Sequence, residues 1–142
     1  MIAIGCDHGG YDLKELVVKY LQEKKYEVKD CGCYSKESCD YPEYGRAVAE
    51  SVASGESDKG IVICTTGIGI SITANKVKGI RAALCSEPLS AQLTRLHNDA
   101  NVLALGAGMV GPELAKRIID TFLETAFSGE ERHQRRINKI EQ

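Results

Sequence analysis

The chain has 142 residues, with 18 Lys and Arg against 20 Asp and Glu and a formal net charge of −2. That length suits one domain with a real core, and the balanced charge argues against a nucleic-acid binder or an acidic tail. No apolar run approaches the ~20 residues of a membrane span.

The opening, MIAIGCDHGG, reaches Asp7 and His8 at once and lacks a basic n-region. No signal peptide is therefore expected, and a cytoplasmic location is. The six cysteines are then expected as reduced thiols. Cys31, Cys33 and Cys39 cluster in CGCYSKESC, but this spacing lacks a usual fourth metal ligand, so no structural metal is expected.

Met1–Gly5 is a short apolar run that predicts a first strand, ending in Cys6-Asp7-His8-Gly9-Gly10. A helix from about Tyr11 to Lys25 follows, with Leu13, Leu16, Val17, Tyr20 and Leu21 on its apolar face. Tyr26–Cys31 predicts a second strand at a sheet edge, because Glu27 and Lys29 alternate with apolar neighbours. Asp40-Tyr41-Pro42 leads into a helix that includes Val48 and Val52 and stops near Gly55.

The organising stretch is Gly60–Lys76, GIVICTTGIGISITANK. Ile61-Val62-Ile63-Cys64 is β-branched and apolar, which predicts a strand buried on both faces. It runs into Thr65-Thr66-Gly67-Ile68-Gly69, a turn whose glycines allow close approach to a ligand, and then a helix carrying Ile70, Ala74 and Val77. Such a corner places a thiol, two hydroxyls and unpaired amides together, where a helix N-terminus attracts anions. The same environment lowers a cysteine pKa from about 8.5 towards neutrality, so Cys64 is a candidate thiolate base or nucleophile. A buried, inert thiol at a strand end is the alternative. The P-loop pattern is absent, GxGxxG lacks its third glycine at Ile72, and Cys-x5-Arg fails at Ile70.

Gly79–Leu84 predicts a fourth strand, and Ser86-Glu87-Pro88 a helix start with serine as the cap. That helix runs to about His97-Asn98. Val102–Leu105 predicts a fifth strand, Gly106–Gly111 a glycine-rich turn, and Pro112 a helix to about Phe127. Ser128-Gly129 breaks it before a last basic helix carrying Arg132, His133, Arg135 and Arg136. Strands alternating with helices at this spacing predict a parallel sheet covered on both faces, with ligands beyond the carboxyl ends of the strands. Those ends hold Asp7-His8, Cys64-Thr65-Thr66 and the Gly106–Gly111 turn. Asp7 also suits a helix cap, His97 a carbonyl cap, and the Arg132–Arg136 pair either a phosphate or a solvated face.

GCDHGG, DYP, GIVICTTGIGISITANK, GIRAALC, SEPLSAQLTRLHNDANVLALG and RHQRR stand in this order along nearly the whole chain. Together they resemble the type B ribose-5-phosphate isomerases and their relatives acting on galactose 6-phosphate or allose 6-phosphate. The resemblance implies a metal-free, cofactor-free aldose–ketose isomerase of the pentose phosphate pathway. It implies a single three-layer, Rossmann-like α/β domain over 1–142 with a five-stranded parallel sheet. The enzyme is expected as a homodimer, with tetramers open, whose active sites are shared between subunits. A C-terminal helix at about 129–141 is expected on or near the partner.

By this resemblance Cys64 is the base that moves a proton between C1 and C2, and Thr66 a hydroxyl beside it. Thr65, Gly67, Ile68 and Gly69 form the turn that stabilises the enediolate oxygen. His97 opens the furanose ring with Asp7 assisting. His8, Arg132 and Arg136 hold phosphate, Asn98 contacts the sugar, and Tyr41 walls the pocket. The chain departs from the family at Gly108, where relatives often carry arginine, and at Thr65, where glycine is common. A phosphocarrier with phosphorylated Cys64 and a non-catalytic sugar-phosphate sensor are the readings from other classes.

Overall fold

The computed structural model describes residues 1–142. Five strands, β1 (Ile2–Cys6), β2 (Val28–Asp30), β3 (Lys59–Cys64), β4 (Ala82–Leu84) and β5 (Val102–Gly106), form one sheet. All pairings are parallel, in the order β2-β1-β3-β5-β4. Six helices accompany them: α1 (Tyr11–Glu23), α2 (Tyr41–Ala53), α3 (Ile68–Asn75), α4 (Pro88–Asn98), α5 (Pro112–Glu124) and α6 (Glu131–Ile140). This is the three-layer, Rossmann-like α/β arrangement.

After Lys59 at the start of β3, the central strands are apolar throughout, because each face of the sheet meets a helical layer. Alternate side chains sort into two cores. Ile4, Cys6, Ile61, Ile63, Leu103 and Leu105 pack with α1 and α5, through Val17, Leu21, Ile118 and Phe122. Ala3, Val62, Cys64, Val102 and Ala104 pack with α2 and α3, through Val48, Val52, Ile70 and Ala74. The side chain of Cys64 therefore belongs to the α2–α3 face, and that of Cys6 to the opposite one.

The edge strands are shorter than the sequence predicts. Lys25 at φ 71° turns the chain between α1 and β2, and Gly79 at φ 87° turns it before β4. The strand then starts late, at Ala82, because the Arg81 backbone N–H donates to Asn101 Oδ1 and its guanidinium to the carbonyls of Asn98 and Asp99. The cap of α4 is Glu87 rather than Ser86, its carboxylate accepting the Ser90 N–H at 2.9 Å. A charged acceptor at this end also complements the helix dipole. α5 stops at Glu124, short of Phe127, where Thr125 turns extended.

Lys14 is a fully buried cation. Its Nζ donates to both oxygens of Asp30, at 2.9 and 2.8 Å, and to the Cys33 carbonyl at 2.8 Å. These partners compensate its desolvation and fasten the chain just beyond β2.

Candidate active site

The sheet order places β1 and β3 side by side although the chain visits β2 between them. Their carboxyl ends flank the point where connections diverge to opposite sides, which opens a crevice in folds of this kind. Asp7 follows β1 and Cys64 ends β3, so both stand at that crevice. With Tyr41, Thr65, Thr66, Ile68 and Gly69 they line one pocket of about 400 Å³.

Cys64 is only 5% exposed, and its Sγ accepts the Gly67 N–H at 3.1 Å. Gly67 reaches this position at φ 79°, a left-handed conformation that glycine adopts without steric cost. Thr66 Oγ1 accepts the Ile68 N–H at 3.2 Å, which leaves the hydroxyl proton free to donate. Gly69 lies under the Tyr41 ring: a Cβ there would stand 2.6 Å from Tyr41 Cζ. The Tyr41 wall and the first turn of α3 can therefore meet only over glycine.

Asp7 is buried, and its Oδ1 accepts the Gly10 N–H at 3.1 Å, capping the short turn His8–Gly10. The capping and pocket-lining descriptions of Asp7 both hold. His8 is exposed beside the pocket, and its Nδ1 accepts the Cys39 N–H at 3.2 Å, which fixes this nitrogen as an acceptor. Thr65 and Gly108 are neighbours, since a Cβ on Gly108 would lie 3.2 Å from Thr65 Cγ2. A side chain at 108 would press on the Thr65 methyl.

His97, Asn98, Arg132 and Arg136 do not join this pocket. α4 begins at the carboxyl rim after β4 and returns towards the start of β5, a travel of roughly 15 Å at about 1.5 Å per residue. His97 and Asn98 thus sit at the opposite end of the sheet, where the Asn98 carbonyl accepts from Arg81 Nε at 2.8 Å. α6 packs on α4 there and brings a residue that the sequence did not single out for the site. His133 is buried and stacks on His97, with ring centroids 4.4 Å apart and planes 18° from parallel. Burial, then the neighbouring His97 and Arg132, push the His133 pKa below its ordinary value, against the opposing pull of Glu130. Arg132 and Arg136 are exposed on the same helix, Arg132 pairing with Glu130 at 2.6 Å. The signal for His133 lay in its spacing from Ile137, since these two are the buried residues of α6.

One end of the chain thus offers a thiol, a hydroxyl and helix-start amides, and the other offers imidazoles and guanidiniums. The first set can remove a proton beside a carbonyl and support the resulting oxyanion. The second offers imidazole nitrogens that can give or take a proton and guanidiniums that can hold a phosphate. No three His, Cys, Asp or Glu side chains are grouped so as to hold a metal ion. No helix is long and apolar enough to cross a membrane.

The profile of the family described as ribose/galactose isomerase matches residues 2–140. The chain is similar to the ribose-5-phosphate isomerase B of Escherichia coli strain K12, at 56% identity over 139 residues, covering 98% of this chain and 93% of that protein. It is 44% identical over 142 residues to the galactose-6-phosphate isomerase subunit LacB of Clostridium acetobutylicum, covering all of this chain and 82% of that one. The solved structure of Clostridium thermocellum ribose-5-phosphate isomerase B superposes with a TM-score of 0.97 at 55% identity, covering 99% of this chain and 94% of that one.

Proposed function

This chain belongs to the ribose/galactose isomerase family, and from that premise we propose that it interconverts ribose 5-phosphate and ribulose 5-phosphate through an enediolate. The observation that carries the mechanism is the Cys64 thiol at the head of α3, accepting an amide hydrogen bond inside the rim pocket. Cys64 removes the proton from C2 of the open-chain aldose and returns it to C1. The Gly67 N–H steadies the thiolate, and the Thr66 hydroxyl donates to a substrate oxygen. The Gly69 amide stabilises the negative oxygen, because the first N–H groups of a helix lack internal acceptors, and the Ile68 amide joins it when Thr66 Oγ1 gives up that N–H to turn towards the substrate. Tyr41 and Thr65 wall the pocket, and Asp7 assists at the sugar hydroxyls. His8 contacts the phosphate.

His97 opens the furanose ring, Asn98 contacts the sugar, and Arg132 and Arg136 hold the phosphate. These four stand at the far end of the same chain, so the reading requires a second copy whose pole meets this rim. Exposed apolar side chains favour such a homodimer: Ile68 at the pocket and Ile72 on α3, Leu84 on the edge strand β4, and Leu89 and Leu93 on α4. In this reading α6 carries its arginines to the partner's pocket. A cytoplasmic enzyme of the pentose phosphate pathway, working without a metal, completes the proposal. A six-carbon sugar phosphate is the second reading, supported by the likeness to the LacB subunit.

The test is interconversion of the two five-carbon phosphates with and without chelator, alongside Cys64→Ala. Turnover that survives chelation and disappears in the variant supports the reading. Turnover retained by Cys64→Ala removes the assigned base. A wild-type chain inactive on these sugars but active on allose or galactose 6-phosphate moves the substrate to six carbons.

A further inference from the structure

Next to the rim pocket lies a group of thiols that isomerisation does not use. Cys6 at the end of β1 and Cys33 beyond β2 are both buried, with sulfurs 3.8 Å apart. Cys39 packs against the core cluster that contains both, with its thiol on the Cys33 side. Cys39 Sγ also lies 3.9 Å from His8 Nδ1, the nitrogen that accepts its backbone N–H.

The two ends of this segment are held differently. Cys33 is fixed: its N–H donates to the Cys6 carbonyl at 2.9 Å, and its own carbonyl accepts from buried Lys14. Residues 34–38 are exposed and belong to no helix or strand. Cys39 is half-buried at the end of that exposed run, so a reagent in solvent reaches it before it reaches Cys33 or Cys6.

We propose that Cys33 and Cys39 form a reversible disulfide in exchange with small-molecule disulfides, and that this bond weakens phosphate binding by withdrawing the Cys39 amide from His8. The second half rests on the role given to His8 above. A disulfide needs its sulfurs about 2.05 Å apart, closer than two packed thiols stand. With Cys33 anchored, Cys39 must move, and the His8 imidazole loses its N–H donor.

Oxidised glutathione supplies the balance. The Cys39 thiolate attacks one of its sulfurs, the glutathione S–S bond breaks, and one glutathione thiolate leaves. The Cys33 thiolate then attacks the Cys39 sulfur and expels the second glutathione. Two protein thiols lose two electrons and two protons, and one glutathione disulfide becomes two thiols. Excess reduced glutathione drives the sequence backwards. Burial raises the Cys39 pKa, which slows the first attack and leaves the thiol reduced under mild conditions.

The experiment incubates the whole protein with oxidised glutathione, blocks free thiols and maps peptides, while KM for ribose 5-phosphate is measured in parallel. The expected result is a peptide pair linked through Cys33 and Cys39, with KM raised about three- to tenfold, the scale of one lost hydrogen bond. Reduced glutathione should reverse both. Modification of Cys64 in part of the population lowers kcat but leaves the KM of intact molecules unchanged, so KM separates the two events. Cys39→Ser should yield no linked pair and a KM indifferent to oxidant. The proposal is overturned if no Cys33–Cys39 link forms, whether the thiols stay reduced, Cys6 and Cys33 link instead, or Cys64 or Cys85 is modified, if the link forms with unchanged KM, or if Cys39→Ser shows the same rise. Should the chain turn over no sugar phosphate, the isomerase reading fails by itself. The dissociation constant for inorganic phosphate, with the same mapping, then decides this proposal.

Discussion

At the carboxyl rim, Cys64, Thr66 and Asp7 are set by strand ends and turn amides, whereas at the opposite pole His97, His133 and Arg132 stand on helices α4 and α6. The rim is positioned by the sheet itself: Cys64 is the last residue of β3, its neighbours in the ladder are buried, and its sulfur is pinned by Gly67. The pole is positioned by side-chain packing of one helix on another, with a stacked imidazole pair inside and guanidiniums outside. In the proposed site the rim supplies the proton-abstracting group without enough positive charge for a phosphate. The pole holds the charge without a base suited to carbon. Each is half of the proposed isomerase site.

The largest effect should come from removing the rim's proposed base. Cys64→Ala is expected to lower kcat by at least about 10²–10⁴-fold, the range for a positioned general base. It should cost the fold only about 1 kcal/mol, the scale of the single hydrogen bond lost with the sulfur. Urea titration beside the activity assay separates the two. Loss of activity accompanied by unfolding would remove the evidence for a chemical role.

Subunit mixing addresses the comparison directly. Cys64→Ala leaves the pole intact, and His97→Asn leaves the rim intact. Each variant alone should be nearly inactive. If the site joins the rim of one copy to the pole of another, unfolding and refolding the two variants together creates heterodimers with one wild-type site. Random pairing should then restore about a quarter of wild-type activity, since roughly half the dimers are mixed and each has one of two sites whole. A mixture no more active than its components would show that the two ends act within one chain, or that the pole has no part in the reaction.

Much of this was legible in the sequence. The β-branched run Ile61–Ile63 announced a strand buried on both faces, and the glycines after Cys64 announced a tight strand-to-helix corner. The order of elements also contained the separation of the two ends: a helix joining parallel strands runs back along the sheet, so His97 at the end of α4 had to lie far from Cys64. What the sequence did not make visible was set by tertiary partners. The cap at Glu87 rather than Ser86 depends on which side chain faces the Ser90 amide. The late start of β4 depends on Arg81 finding the carbonyls of Asn98 and Asp99. The His97–His133 stack depends on the docking of α6 onto α4, which no local pattern encodes.

The smallest expected effect tests that stack. His133 is held below its ordinary pKa by burial, His97 and Arg132, so the unfolded chain, titrating at about 6.5, binds its proton first on acidification. Where the unfolded state carries more protons, stability rises with pH. The contribution of neutral His133 is therefore present above about pH 6.5, declines as pH falls towards the lower folded value, and is flat below it. The facing groups are His97 from α4 and Arg132, Arg136 and Glu130 around α6, and only Glu130, 3.6 Å from Nε2, favours the charged form. Urea midpoints measured from pH 8 to 5 should fall more steeply for the wild type than for His133→Gln, which cannot titrate. Equal slopes would mean that His133 reaches solvent when it charges, and that the stack is not a packed, neutral pair. The rim should be indifferent to the same substitution: Cys64 gains no new neighbour, and a change in its alkylation rate would show that the two ends are coupled through the sheet rather than only brought together by a second copy.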